Sequence, residues 1–300
     1  MREISCEFTS NGTTCRGTLM LPVSDDPAPV IVMAHGFANI REARLPAFAG
    51  RFVDAGYAAF LFDYRSFGES DGDPRHLVHP WNQLDDWSAA IAYVQQHPEI
   101  DSDRLVLWGT SFSGGHVLKL AAERDDVTAV ISQIPHVSGP ATTMQAHPLT
   151  TITCTVAAFV DLVGSLVNRP FYSRITGKPG DRAAITGDDA DATYAALLPD
   201  GAPWENRVLS RSLLYVPFYS PRNSARKITA PTLVIGAARD SVVPIGATWR
   251  AARRIPNVEF HALDADHFQP YLGEMFEENM MIQLDFLARN VPVVAGQRLP

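Results

Sequence analysis

Apolar positions along the chain follow two alternating patterns. The first is the short unbroken run rich in β-branched residues: Val30-Ile31-Val32-Met33-Ala34, Leu105-Val106-Leu107-Trp108 and Thr232-Leu233-Val234-Ile235. A run without a polar side reads as a strand buried on both faces. The second is apolar spacing at three and four residues: Leu45, Phe48, Phe52 and Val53; Trp81, Leu84, Trp87, Ile91 and Val94; Phe276, Met280, Leu284 and Leu287. That spacing predicts helices with one buried stripe. Pro46 opens the first helix and Gly56 closes it, and Pro98 ends the second. Further strands are expected over 57–62, 127–134 and 258–261, with a helix ending near Arg124. Extended segments 2–8 and 14–21 meet at Asn11-Gly12, the strongest short hairpin signal. Strands alternating with helices predict an α/β protein, a mostly parallel sheet flanked by helices.

The alternation breaks between His136 and Arg226. Helical pieces are expected there over 151–166 and 188–198, among proline-rich loops and many aromatic residues. This reads as an inserted helical cap over the carboxyl edge of the sheet, where open α/β sheets bind ligands. The expected division is a core of 1–135 and 226–300 and a cap of 136–225. The tail after Asn290 is short and expected to be loosely held. Within the cap, Asp188, Asp189 and Asp191 read as a helix start favoured by its dipole, not as a metal site.

Composition narrows the function classes. The 300 residues are 46% hydrophobic and 19% charged, ordinary values for a globular chain with one sizeable core. A net charge of −8 opposes nucleic-acid phosphates and anionic lipid heads, so neither nucleic acid nor membrane is an expected partner. Asp161 and Ser165 interrupt the longest apolar stretch, at 152–167, and the N-terminus has no apolar leader segment. The three cysteines are too few for a disulfide framework. Pairing about Asn11-Gly12 sets Cys6 opposite Gly17, so Cys6 and Cys15 are diagonal neighbours about 7 Å apart at Cβ, where a disulfide needs about 4 Å. Free thiols predict a reducing, cytoplasmic setting.

The candidate chemistry sits on three loops. In Trp108-Gly109-Thr110-Ser111-Phe112-Ser113-Gly114-Gly115 a buried strand runs into a tight turn and then a helix, with Ser111 at the tip. This is the pattern of a nucleophile elbow: a sharp turn lifts the hydroxyl clear of the sheet, and the residues two away must be small. Ser113 stands where a second glycine is usual. Gly68-Glu69-Ser70-Asp71-Gly72 matches the G-x-S-x-G string, but a turn follows it, not a helix, and Ser113 lies inside the helix's first turn. Ser111 is therefore the expected nucleophile. A serine needs a base. Of nine histidines, His267 lies on the loop after the last strand, at the same edge as Ser111. His116 reads as structural. His76 and His79 lack a third ligand, and no metal is expected. The base needs an acceptor to fix its tautomer. Asp240 follows the strand ending at Gly236 and fits that role, whereas Asp264 and Asp266 are too near His267 in sequence and read as capping their own loop.

The order Ser111, Asp240, His267, together with Ala34-His35-Gly36-Phe37 and Asp63-Tyr64-Arg65-Ser66-Phe67-Gly68-Glu69-Ser70, resembles the α/β-hydrolase superfamily over nearly the whole chain. It is most similar to serine esterases with a dienelactone-hydrolase-like core and a cap inserted after the strand that follows the elbow helix. The resemblance implies oxyanion-hole N–H groups on Phe37 and Phe112. It gives the Asp63–Ser70 loop a structural part, with Arg65 and Asp63 tying the sheet edge. Serine at position 111 separates the chain from dienelactone hydrolases, which carry cysteine there, and from dehalogenases and epoxide hydrolases, which carry aspartate. The expected function is cleavage of a carboxylic ester, thioester or lactone through an acyl-enzyme, without cofactor. The expected substrate is a small acyl compound with an apolar portion, and a homo-oligomer stays open. Acyl transfer with the same residues is the alternative. A non-catalytic ligand-binding protein would be favoured only by loss of one of the three.

Overall fold

At Asn11 and Gly12 the backbone turns with φ of 46° and 80°, the mirror-image turn that matches strand twist. It joins β1 (Arg2–Ser10) to β2 (Thr13–Leu21) in the register that sets Cys6 opposite Gly17. Cys6, Cys15 and Cys154 are all buried and unpaired. The computed structural model describes residues 1–293. The buried run at Val30 becomes β3 (Ala28–Ala34), followed by α1 (Leu45–Asp54), β4 (Ala58–Phe62), α2 (Pro80–Val94), β5 (Ile100–Thr110), α3 (Phe112–Ala121) and β6 (Val127–Gln133).

After β6 the chain leaves the sheet through α4 (Gly139–Gln145), α5 (Pro148–Ser165), β7 (Tyr172–Gly177), β8 (Ala183–Thr186), α6 (Ala190–Ala195) and β9 (Val208–Leu209), with short 3-10 turns up to Lys227. It returns with β10 (Thr232–Ala237), α7 (Ile245–Ala252), β11 (Val258–Leu263) and α8 (Gly273–Asn290). The main sheet has eight strands in the order β1-β2-β4-β3-β5-β6-β10-β11. β1 and β2 are antiparallel additions, and the strands from β4 to β11 pair in parallel. All their carboxyl ends therefore share one edge, and residues 111, 240 and 267 sit on loops there.

Two expectations need correction. The cap is not purely helical: β8, β7 and β9 form a three-stranded sheet within it. These strands are too short to show a period, and a side chain organises them. The Asn206 amide oxygen accepts from the backbone N–H of both Ile175 and Thr176, at 2.9 Å each. Nor is the chain after Asn290 loose at its start. Val291 is buried and its carbonyl accepts from the Tyr57 hydroxyl at 3.0 Å. Residues 294–300 of the tail lie outside the described residues.

α8 also buries more than its expected apolar stripe. Asn279 and Gln283 are fully buried with Phe276, Met280 and Leu287. Both amides donate to Gln133 Oε1, at 2.7 and 2.9 Å, and Trp108 Nε1 donates to Gln283 Oε1 at 2.7 Å. Gln133 in turn donates to Thr110 Oγ1 at 3.0 Å, and Thr110 shares a 2.5 Å bond with the Tyr271 hydroxyl. A buried polar network with this many satisfied groups fixes one docking of α8 beneath the end of β5.

Asp161 is fully buried on α5. It accepts from the backbone N–H of Phe171 at 2.8 Å and of Arg211 at 2.9 Å, and pairs with the Arg211 guanidinium at 3.1 Å. One carboxylate thus joins three segments of the cap. Asp161→Ala leaves these donors without a partner and is expected to lower stability by about 3 kcal/mol. Urea unfolding followed by tryptophan fluorescence measures it; a loss under 0.5 kcal/mol, on the order of a neutral surface change, contradicts the anchoring role.

Candidate active site

Ser111 lies between the last residue of β5 and the first of α3, with φ 54° and ψ −114°. A side chain at positive φ is strained and persists only where its surroundings dictate it. Here they do. Ser111 N–H donates to the Gln133 carbonyl at 2.9 Å, and the Ser111 carbonyl accepts from His136 N–H at 2.8 Å. A Cβ on Gly109 would lie 2.2 Å from the Ser113 carbonyl oxygen, and one on Gly36 would lie 3.1 Å from Ser111 Cβ. The turn has no room for a side chain at Gly109 and only a tight fit for one at Gly36.

The structure brings Ser111, His267 and Asp240 together. Ser111 Oγ is 3.1 Å from His267 Nε2, and His267 Nδ1 is 2.7 Å from Asp240 Oδ2. The other carboxylate oxygen accepts from Val242 and Val243 N–H at 2.7 Å each. Asp240 carries no donor in its ionised form, so Nδ1 holds the ring proton and Nε2 is left to accept from the serine hydroxyl. His267 and Asp240 are both buried, which keeps bulk water from competing for these bonds.

The remaining candidates have other partners. Ser70 Oγ donates to the Asp63 carbonyl at 2.7 Å and accepts from Arg16 N–H at 2.8 Å. His116 is bonded to Tyr219 and Gln83, and His79 Nδ1 accepts from Asn82 N–H at the start of α2. Asp266 receives the Phe268 and Gln269 N–H groups of its own loop, and Asp264 pairs with Arg239. Among the described residues no cluster of potential metal ligands occurs. Asp191 pairs with Arg174 and accepts from Thr176. Arg65 does not bond Asp63. It reaches Asp86 of α2 at 2.7 Å, while Asp63 receives Arg41.

Phe37 follows β3, and Phe112 opens α3, where backbone N–H groups lack intrahelical partners. The two rings meet edge to face at 5.5 Å, and both residues line one cavity with Ser111. Struts that the sequence did not reveal fix the Phe37 loop. Trp87 Nε1 donates to the Tyr64 hydroxyl at 2.7 Å, Tyr64 bonds Ser113 Oγ, and Ser113 Oγ donates to the His35 carbonyl. Since the indole can only donate and the carbonyl can only accept, the whole chain of bonds has one direction. Next to it, His35 Nδ1 donates to the Gly36 carbonyl at 2.9 Å, orienting the peptide that carries the Phe37 N–H. From the cap, the Tyr194 hydroxyl donates to the Phe37 carbonyl at 2.8 Å and Trp204 Nε1 to the Ala38 carbonyl at 3.1 Å. The one signal in the sequence was Ser113 in a place where glycine is usual.

The cavity beside Ser111 has a volume of about 380 Å³ and runs between the sheet edge and the cap. Among the described residues no Asp, Glu, Lys or Arg lines it. Its polar residues are turned to internal use: Thr143 and Thr155 donate to the carbonyls of Gly139 and Thr151. His136 is bonded by the Tyr219 carbonyl and Thr142. Burial pushes its imidazole down to about 4, so it is neutral near pH 7.

A parallel sheet with a serine on a strained strand-to-helix turn and a cap over its carboxyl edge defines an α/β-hydrolase, an enzyme class of hydrolysis and acyl transfer. The profile described as X-Pro dipeptidyl-peptidase (S15 family) matches residues 11–269, and the chain belongs to that family. Quorum-quenching protein AidA of Acinetobacter baumannii is 42% identical over 97% of this chain and 96% of its own length. Polyketide transferase af380 of Aspergillus fumigatus is 28% identical over 97% of this chain and 99% of its own. In three dimensions, the α/β hydrolase GrgF from Penicillium sp. superposes with a TM-score of 0.83 at 24% identity, covering 98% of this chain and 100% of that one. DcsB, solved with its substrate analogue, gives 0.85 at 23% identity over 97% and 100%. These two likenesses are of fold.

Burial also holds His35 at about 4 and His116 at about 3. All three imidazoles lie below the value near 6.5 of an unfolded chain. The unfolded chain therefore binds more protons below pH 6.5, and the stability these rings confer is complete above that pH and is lost as pH falls toward 4. At pH 5 each costs about 2 kcal/mol. Urea unfolding at pH 7.5 and 5.0 is expected to give a clearly lower midpoint at pH 5.0; equal midpoints would mean that these rings are charged in the fold.

Proposed function

We propose that the chain is a serine hydrolase that cleaves ester-type bonds of a small neutral substrate through an acyl-enzyme on Ser111. The observation that carries this reading is the continuous line from Ser111 Oγ through His267 to Asp240, at 3.1 and 2.7 Å. In this mechanism Ser111 Oγ attacks the carbonyl carbon while its proton passes to His267 Nε2. Asp240 supports the imidazolium that forms. The charge gathering on the carbonyl oxygen meets the N–H groups of Phe37 and Phe112, each such donor worth about 3 kcal/mol. His267 returns the proton to the leaving alcohol or thiol. Water then repeats the sequence and releases the acid.

The cavity supports a neutral, largely apolar acyl group. An X-Pro peptide substrate carries an N-terminal ammonium, which is costly to bury without a carboxylate beside it. The lining offers none among the described residues, so family membership is read here as shared fold and acyl chemistry, not as dipeptidyl-peptidase specificity. Acyl transfer to an acceptor alcohol is the second reading. The relative named a polyketide transferase, matched over 97% of this chain, favours it, and only the last nucleophile differs.

Ser111→Ala is expected to lower kcat/KM for a p-nitrophenyl ester by about 10⁴–10⁶ with the fold unchanged, and Asp240→Asn by about 10⁴. A fluorophosphonate probe should mark Ser111 alone. Turnover retained in Ser111→Ala, or a label on Ser70 or Ser113, refutes the assignment, and rapid cleavage of an X-Pro p-nitroanilide refutes the substrate class. Product analysis with added alcohol separates acid release from acyl transfer. Ser113→Ala cuts the strut from Tyr64 to the His35 carbonyl. It is expected to reduce kcat by about 10- to 100-fold with little change in KM, because the oxyanion loop acts on the transition state. An equal change in both would point to general loosening.

A further inference from the structure

Among the described residues the outer side of α5 has no partner. Ile152, Val156, Val160, Val163, Leu166 and Val167 recur at helical spacing along it and are 49–84% exposed. Asp161, the charged residue within α5, points inward to Arg211. The strip therefore runs the full 18 residues of the helix, about 27 Å, without an exposed charge. Single exposed apolar side chains are ordinary on a monomer, but a contiguous stripe of this length is not.

We infer that α5 is the contact between two copies of this chain, packed antiparallel about a twofold axis. Area, charge and continuity with the cavity favour this occupant. At roughly 80–100 Å² for each half-exposed apolar side chain, the strip with Leu149 and Phe159 of the same helix offers on the order of 700 Å² per partner, close to the area of a standard stable interface. A twofold contact must be self-complementary, and an uncharged helix face meets its own copy without opposing like charges. The net charge of −8 disfavours the anionic lipid surface that would otherwise fit an apolar face. Phe159 of α5 and Phe218 line the cavity and are also 56% and 80% exposed, so the cavity opens on the side of this helix. A second α5 laid along the strip would roof that mouth. Association stands apart from the proposed activity, whereas the roofing rests on it.

Light scattering after size exclusion at micromolar concentration is expected to give a dimer for the wild type and a monomer for Val163→Glu. Should that variant fail to fold by circular dichroism, Val156→Lys serves instead. The monomeric variant is expected to lose several-fold in kcat/KM for a p-nitrophenyl decanoate and less for the butyrate. A monomeric wild type overturns the inference, as does a dimer that both charged variants leave intact. Co-sedimentation of a monomeric wild type with phosphatidylcholine vesicles would give the face to lipid instead. A dissociated variant that turns over both esters like the wild type overturns the roofing. Because association is read without turnover, an inactive Ser111 and a monomeric chain are separate results.

Discussion

The strained backbone at Ser111 is the constraint to which the surrounding structure is fitted. A positive φ at a residue with a side chain costs on the order of 1–3 kcal/mol. The fold offsets that cost by pinning both peptide groups of the turn to the neighbouring strand end, through Gln133 and His136. Those two residues are themselves fixed, Gln133 by Asn279 and Gln283 of α8 and His136 by Tyr219 of the cap. The turn is thus held from beneath by the last helix and from above by the insertion. Elements far apart in sequence share one task, and their polar residues are buried for that reason.

The same logic joins the cap to the catalytic edge. Tyr194 and Trp204 donate to carbonyls of the loop after β3, and Ser113 donates to the first carbonyl of that loop from the elbow side. The loop that would carry one oxyanion donor is therefore spanned between cap and elbow helix. The Tyr194 bond ties the cap to the carbonyl of Phe37, so the position of this loop depends on that of the cap.

The core strands were legible because a strand buried on both faces has no choice but to be apolar, as the complete burial of Val30 through Ala34 illustrates. The loops that carry Ser111, Asp240 and His267 were legible because each follows such a strand. The struts were not. Tyr64, Trp87, Tyr194 and Trp204 act through one or two hydrogen bonds each, across sequence separations of 23 to 166 residues, and a polar tip on an aromatic ring leaves no periodic mark. Asn279 and Gln283 were hidden for the opposite reason. On a helix an amide at a buried position looks like a surface residue until its partner, here Gln133, is known. The small cap sheet escaped because Asn206 organises it from outside its strands.

Neutrality of the cavity is the last link between fold and chemistry. Oriented donors act most strongly on a developing charge where water is scarce. His136 sits in the cavity wall, next to the elbow, and would place a positive charge there were it protonated. Its Nε2–H is given to the Tyr219 carbonyl and its Nδ1 faces the Thr142 hydroxyl, and burial keeps the ring neutral. His267 differs from this ring in having a carboxylate oxygen, that of Asp240, at 2.7 Å from its Nδ1. Among the described residues His136 is the one imidazole in the lining, and because burial keeps it neutral near pH 7 the wall of the cavity carries no formal charge.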